Sequence, residues 1–329
     1  MKTDSRIYLL SLDHPEIGAE EVVALTRTAL GKPPSCFQAG DLLMVQDSVS
    51  GLGQRLAYAK AVCKVVAEAT PETLAASIKG IDWNRHIKGS FKAEIRRARN
   101  YMNAPVELSE SELGAMLYEN LESPSVSLEN PDTTFTLFVA GEKLFLSLLE
   151  EKVPTDFMQR RPHLRPVMHP SSIHPRLARA CVNLTGLLSG TIMDPFCGTG
   201  GILIEAGLLG FSIKGCDIKH RMIEACEKNL NHYNLKAELF VGDALAAELN
   251  ADAIVTDIPY GRNTTLTMDA AELVNSFLSR ETTAKRMVLM IPDTLQPEKI
   301  RYGNWLLEKQ FTHYIHKSLS KRILVLKKN

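Results

Sequence analysis

The chain has 329 residues, room for about two or three compact domains, and its 45% hydrophobic and 23% charged residues are those of an ordinary globular protein. Thirty-eight basic residues balance thirty-eight acidic ones, so whole-chain charge gives nucleic-acid binding no support and local clusters must carry any such case. No run approaches the roughly 18–20 apolar residues that span a bilayer, and the N-terminus, MKTDSRIYLLSLD, lacks the cleavage site of a secretory signal.

In chain order, strands are expected at 7–12 (IYLLSL), 41–47 (DLLMVQD), 90–97 (SFKAEIRR), 134–140 (TFTLFVA) and 144–150 (LFLSLLE). Helices are expected over 15–30, 51–69 and 109–121, the last opening on Ser109 with Glu112 three residues on, a capping box. Ala140-Gly141-Glu142 marks a hairpin. This region, 1–152, reads as α+β. Residues 153–175, with five prolines and several basic residues, break every period and read as a linker.

Residues 176–329 alternate regularly. Strands GTIMD, FSIKGCD, AELFVGD, DAIVTD and RMVLMI are separated by helical stretches, one of which stacks Met222, Cys226, Leu230 and Tyr233 on a single stripe. Such alternation implies a parallel sheet covered by helices. The C-terminal FTHYIHKSLSKRILVLKKN reads as a hairpin around Leu319-Ser320 that adds an antiparallel edge.

Ligands of a parallel sheet bind at the carboxyl ends of its strands. Asp194, Asp217, Asp243 and Asp257 all stand at such ends. Strand ends and helix caps explain one or two of them equally well. A set of four, the first followed by the glycine-rich DPFCGTGG (194–201), points to a nucleoside ligand. Neither G-x-G-x-x-G nor a P-loop lysine is present, which weighs against a dinucleotide or a nucleoside triphosphate.

The most specific motif is DIPYG, from Asp257 to Gly261. An exocyclic base amine is a poor nucleophile until acceptors hold its N–H groups and aim its lone pair. Asp257 offers one acceptor, and the Ile258 carbonyl, kept extended by Pro259, offers another. Tyr260 offers a stacking face.

These motifs, in this order and spacing, resemble the class I S-adenosylmethionine methyltransferases that modify base amines. The upstream half resembles THUMP-containing RNA methyltransferases, and 160–186 is similar to the archaeal tRNA guanosine-10 N2-methyltransferases. The resemblance implies a Rossmann-like catalytic domain joined to an N-terminal THUMP-type RNA-binding region, with S-adenosylmethionine as cofactor, tRNA as partner and the N2 amine of guanosine as target. It implies cofactor contacts at Asp194, Phe196, Gly198, Thr199, Gly200, Asp217, Ile218, Asp243 and Ala244, with Pro170, Ser172 and His174 folding over the cofactor. It places Asp257, Ile258, Pro259 and Tyr260 at the base. Many relatives have proline where this chain has Ile258, but the group needed there is a carbonyl.

Two basic clusters complete the expectation: Lys92, Arg96 and Arg97 on the strand 90–97, and Arg160, Arg161 and Arg165 in the linker. Solvated surface is the usual meaning of such runs; RNA contact is the expectation here. Six scattered cysteines (Cys36, Cys63, Cys181, Cys197, Cys216, Cys226) form no C-x-x-C pair, so no metal is expected, and a cytoplasmic enzyme without an evident partner subunit is. Alternatives are an amine methylase of another tRNA or rRNA base, or a non-catalytic RNA-binding protein with a vestigial cofactor fold.

Overall fold

The computed structural model describes residues 4–103, 105–170, 172–259, 269–316 and 319–329. The chain forms two compact units, one of residues 1–19 and 30–154, the other of 20–29 and 155–329.

The first unit contains β1 (Asp4–Leu10), α1 (Pro15–Leu30, whose middle belongs to the second unit), β2 (Cys36–Ala39), β3 (Leu42–Ser48), β4 (Ala59–Ala69), α2 (Leu74–Lys79), β5 (Ser90–Arg97), α3 (Glu110–Tyr118), β6 (Ser125–Val126), β7 (Thr133–Ala140) and β8 (Lys143–Lys152). The strands make one sheet in the order β2-β3-β1-β4-β8-β7-β5-β6. Alternation along β5 buries Phe91 and Ala93 against Trp83, Leu113, Leu117 and Phe135, while Lys92, Glu94 and Arg96 share the other face. The capping box forms: the Ser109 hydroxyl accepts the Glu112 N–H at 3.1 Å, and Glu112 Oε2 accepts the Ser109 N–H at 2.8 Å. Gly141, at φ 67°, turns β7 into β8.

One expectation fails. The helix over 51–69 is instead a set of turns followed by β4, an eleven-residue strand between β1 and β8. Its registers slip at Val62/Cys63 and Val65/Ala67 against β8, and such bulges erase the two-residue period by which a strand is recognised.

The second unit contains α4 (Pro175–Leu184), β9 (Thr191–Asp194), α5 (Gly201–Leu208), β10 (Ser212–Asp217), α6 (His220–His232), β11 (Glu238–Val241), β12 (Ala253–Asp257), α7 (Ala270–Leu278), β13 (Arg286–Pro292), β14 (Trp305–His316) and β15 (Leu319–Lys328). Strand order is β11-β10-β9-β12-β13-β15-β14, parallel except for β15, which is antiparallel to both of its neighbours. The terminal hairpin is therefore present, with Leu319 and Ser320 inside β15 rather than at its turn. The segment 153–175 is packed structure, with 3-10 turns at Asp156–Arg160 and Pro162–Leu164 and a buried Phe157. Buried Ile254, Val274, Phe277, Met287, Leu289 and Leu324 form the core between sheet and helices.

Candidate active site

Strand order reverses beside β9, so the crevice for a ligand lies over the carboxyl ends of β9, β10 and β12. Asp194, at the end of β9, is only 2% exposed. Its Oδ1 accepts the Phe196 N–H at 3.1 Å and the Thr256 hydroxyl at 2.6 Å, tying the turn to β12 from beneath. Burial pushes its carboxyl up to about 7, against the pull of those two hydrogen bonds. Asp194 thus shapes the turn more than it faces a ligand.

Above it, Gly200 adopts φ 84° and a Cβ there would meet the Cys226 sulfur at 2.7 Å, so only glycine fits. Asp217, half-buried at the end of β10, accepts the Gly198 N–H at 3.0 Å through Oδ2 and the Lys219 N–H at 2.9 Å through Oδ1. Each oxygen keeps accepting capacity. Ile218 beside it is 62% exposed, an apolar face in the open. Asp243 is exposed and accepts the Leu245 N–H at 2.9 Å, while Ala244 is buried. Phe196 is half-buried, edge-on to Phe277.

The segment before α4 is strapped to the turn. The Ser172 and Thr199 hydroxyls are 2.9 Å apart. Asn229, fully buried on α6, donates to the carbonyls of Thr199 and Val167, both at 2.9 Å, and accepts the Val167 N–H. His174 caps α4 by accepting the Arg176 N–H at 3.2 Å; burial, then Arg161, Arg176 and Arg165, hold its pKa below the usual imidazole range. Pro170 is exposed.

The linker arginines divide. Arg160 is 7% exposed and Arg165 6%, so neither has an open face for a phosphate, and the expected RNA role is corrected for both. Arg160 and Arg179 both pair with the fully buried Glu205, at 2.8 Å each. Arg165 Nε donates to the Arg160 carbonyl, but its Nη1 and Nη2 find no hydrogen-bond partner of ordinary geometry among the described residues, with Tyr233 nearby. That guanidinium stands where α5 begins, Nη1 3.3 Å from where a Gly201 Cβ would be. Arg161 is half-buried and keeps an accessible side.

These features fit S-adenosylmethionine. Asp217 has lone pairs for a ribose diol, Ile218 an apolar face for a base, and the Arg165 guanidinium, its Nη1 and Nη2 without a partner of ordinary geometry among the described residues, suits a carboxylate at the start of α5.

At the end of β12, Asp257 Oδ2 accepts from the Lys321 ammonium, while Oδ1 is buried with no hydrogen-bond partner among the described residues. Burial raises the pKa of Asp257 and Lys321 opposes the rise. Ile258, buried, donates its N–H to the Met290 carbonyl at 3.0 Å and fixes the strand end, with Pro259 half-buried after it. Tyr260 lies outside the described residues. Glu205, Asn229 and Lys321 were not anticipated; their partners are 45, 30 and 64 residues away, which no local pattern reveals.

In the first unit, Glu94 stands between Lys92 and Arg96, at 2.8 and 3.2 Å. Lys60 and Lys152 join Lys92 and Arg96 around a cleft of about 390 Å³. Arg97 is exposed and donates to the Val106 carbonyl at 2.9 Å.

No helix among the described residues is long and apolar enough to cross a membrane. Residues 58–149 match the THUMP domain and residues 162–318 the RMKL-like methyltransferase domain. The chain is 33% identical to the tRNA (guanine(10)-N2)-dimethyltransferase of Methanothermobacter thermautotrophicus, over 97% of this chain and 98% of that one. It is 37% identical to the Pyrococcus abyssi enzyme of the same name over 60% of each chain. The solved structure of TrmN from Thermus thermophilus shares the fold, with a TM-score of 0.56 at 19% identity, covering 99% of this chain and 100% of that one. With whole-length similarity of this order, the chain is an S-adenosylmethionine-dependent methyltransferase and belongs to the tRNA (guanine(10)-N2)-dimethyltransferase family.

Proposed function

We propose that this chain methylates the N2 amine of guanosine 10 in tRNA, first once and then a second time. The observation that carries the reading is Asp257: a carboxylate at the end of β12, the strand beside β9, with one oxygen engaged and the other buried without a hydrogen-bond partner among the described residues. Oδ1 would accept one N–H of the guanine amine, and the Ile258 carbonyl the other. Asp217 would hold the cofactor's ribose hydroxyls, Asp243 its adenine amine, and Arg165 with the first N–H groups of α5 its carboxylate. Bound there, S-adenosylmethionine supplies an electrophilic methyl on a sulfonium.

That methyl would pass to the amine nitrogen, and Asp257 or water would take up the surplus N-bound proton. Held geometry supplies most of the acceleration, because this displacement needs little acid–base help. A guanosine in a stem must first be flipped out. The basic face around Lys60, Lys92, Arg96 and Lys152 would hold the tRNA backbone through phosphate contacts, with Arg161 as a further contact in the linker.

Incubation of the purified chain with S-adenosylmethionine and unmodified tRNA, followed by nucleoside mass spectrometry, tests the reading. N2-methylguanosine, then N2,N2-dimethylguanosine, is expected, and both vanish when guanosine 10 is replaced. Methylated adenosine, or no methylated base, would overturn it.

A further inference from the structure

The parallel strands of the second unit end at the edge that carries the site, whereas β15, running antiparallel, begins there. Register fixes the consequence. Asp257 pairs with Met290 on β13, and Lys321 pairs with Pro292 on that same strand. The Lys321 side chain crosses β13 and reaches Asp257 Oδ2, and only 7% of the lysine stays exposed. Lysine is almost never buried so deeply without a partner. Desolvating both ions costs several kcal/mol per ion before their attraction offsets it. Strand stability does not ask for that cost, since Ile323, Leu324, Val325 and Leu326 already anchor β15 in the core.

We propose that Lys321 is a positioning residue for amine methylation: by holding Oδ2 it keeps the Asp257 carboxylate ionised and leaves Oδ1 facing the target N–H. The inference rests on Asp257 being the amine's acceptor. A carboxyl protonated on Oδ1 would present an O–H toward the target N–H, and that contact would fail. Among the described residues, three titratable groups interact electrostatically with Asp257: Lys321 from β15, the Cys181 thiol from α4 and Asp194 from the end of β9. Burial pushes the Cys181 thiol far up, so it stays neutral. Asp194 gains negative charge as pH rises and works against a charged Asp257. Among the described residues, Lys321 is the cation that opposes the effect of burial on Asp257. Without it the Asp257 pKa climbs further, so activity is lost at neutral pH and returns as pH rises.

The test is single-turnover methylation of tRNA by Lys321→Met at saturating S-adenosylmethionine, from about pH 6 to about pH 9. The rate at neutral pH should fall by at least about 30-fold. The rising limb of the profile should move to higher pH, so that the defect shrinks there. Lys321→Arg should restore most of the rate with an unshifted profile. Calorimetric affinity for S-adenosylmethionine should not change.

In an Asp257→Asn background, adding Lys321→Met should cost less than about two-fold, because no carboxylate remains to hold. That pair of variants also decides the matter if Lys321→Met alone fails to fold, since the double variant leaves no lone buried charge. A wild-type rate and profile in Lys321→Met, a loss independent of pH, or additive losses in the double variant would overturn the role of Lys321. A fully active Asp257→Asn would instead overturn the reading of Asp257 itself, which keeps the two failures distinct.

Discussion

The basic face of the first unit and the carboxylate site of the second hold charge in opposite ways. On β5, Lys92, Glu94 and Arg96 form ion pairs that solvent reaches, with 48% of the Arg96 side chain exposed. Such pairs contribute about 0–1 kcal/mol, so either cation can exchange Glu94 for a phosphate at little cost. In the second unit, Lys321–Asp257 and Arg160–Glu205–Arg179 are shielded from water. Removing one member of a buried pair costs about 3–5 kcal/mol. Exposed charge suits a backbone met in many registers; buried charge suits one atom held in one place.

Three variants sharpen that contrast. Glu205→Ala should be the most damaging to the fold, because it leaves Arg160 and Arg179 buried without their shared carboxylate. Thermal or denaturant unfolding should show a loss of about 3–5 kcal/mol. A loss within the range of surface substitutions would mean that the cluster is hydrated in solution.

Asp217→Ala comes next. Calorimetry should show S-adenosylmethionine binding weakened by about 1.5–3 kcal/mol, the scale of charge-assisted hydrogen bonds. Unchanged affinity in a folded variant would remove Asp217 from the cofactor site and confine it to bracing Gly198 and Lys219.

The smallest effect at fixed salt belongs to the triple replacement of Lys92, Arg96 and Arg97 by neutral residues. It should weaken tRNA binding several-fold and flatten the dependence of affinity on salt by about 0.7–0.9 per lost phosphate contact. An unaltered salt slope would mean that this cluster is only solvated surface.

The legible parts of the molecule were those written locally. Alternation along 90–97 gave β5 with its ends correct, and the Ser109–Glu112 pair marked the start of α3. The regular alternation after residue 176 announced the parallel sheet, because its central strands β9, β12 and β13 are buried on both faces and read as short apolar runs. Residues 51–69 misled, since β4 takes its stability from pairing with β1 and β8 while bulges scramble its period. At the site, the first aspartates of DPFCGTGG and DIPYG stand at the ends of β9 and β12 as the pattern implied, yet the partners that set their charge were invisible. Whether an arginine meets Glu205 or solvent, and whether a lysine crosses β13 to reach Asp257, is decided by tertiary packing. Burial of Arg160 and Arg165 is the clearest instance, for their composition and spacing are those of a surface patch.

Asp257 is where the whole account meets its most direct test. Single-turnover methylation of tRNA by Asp257→Ala, with cofactor affinity and thermal unfolding measured on the same preparation, isolates its part in the reaction. The expected result is a rate lowered by at least about 100-fold, equivalent to about 2.7 kcal/mol of transition-state stabilisation. S-adenosylmethionine should still bind within about two-fold of wild type, and a lower melting temperature should register the lysine left without its carboxylate. A near-wild-type rate in a folded, cofactor-binding Asp257→Ala would contradict amine methylation at this site.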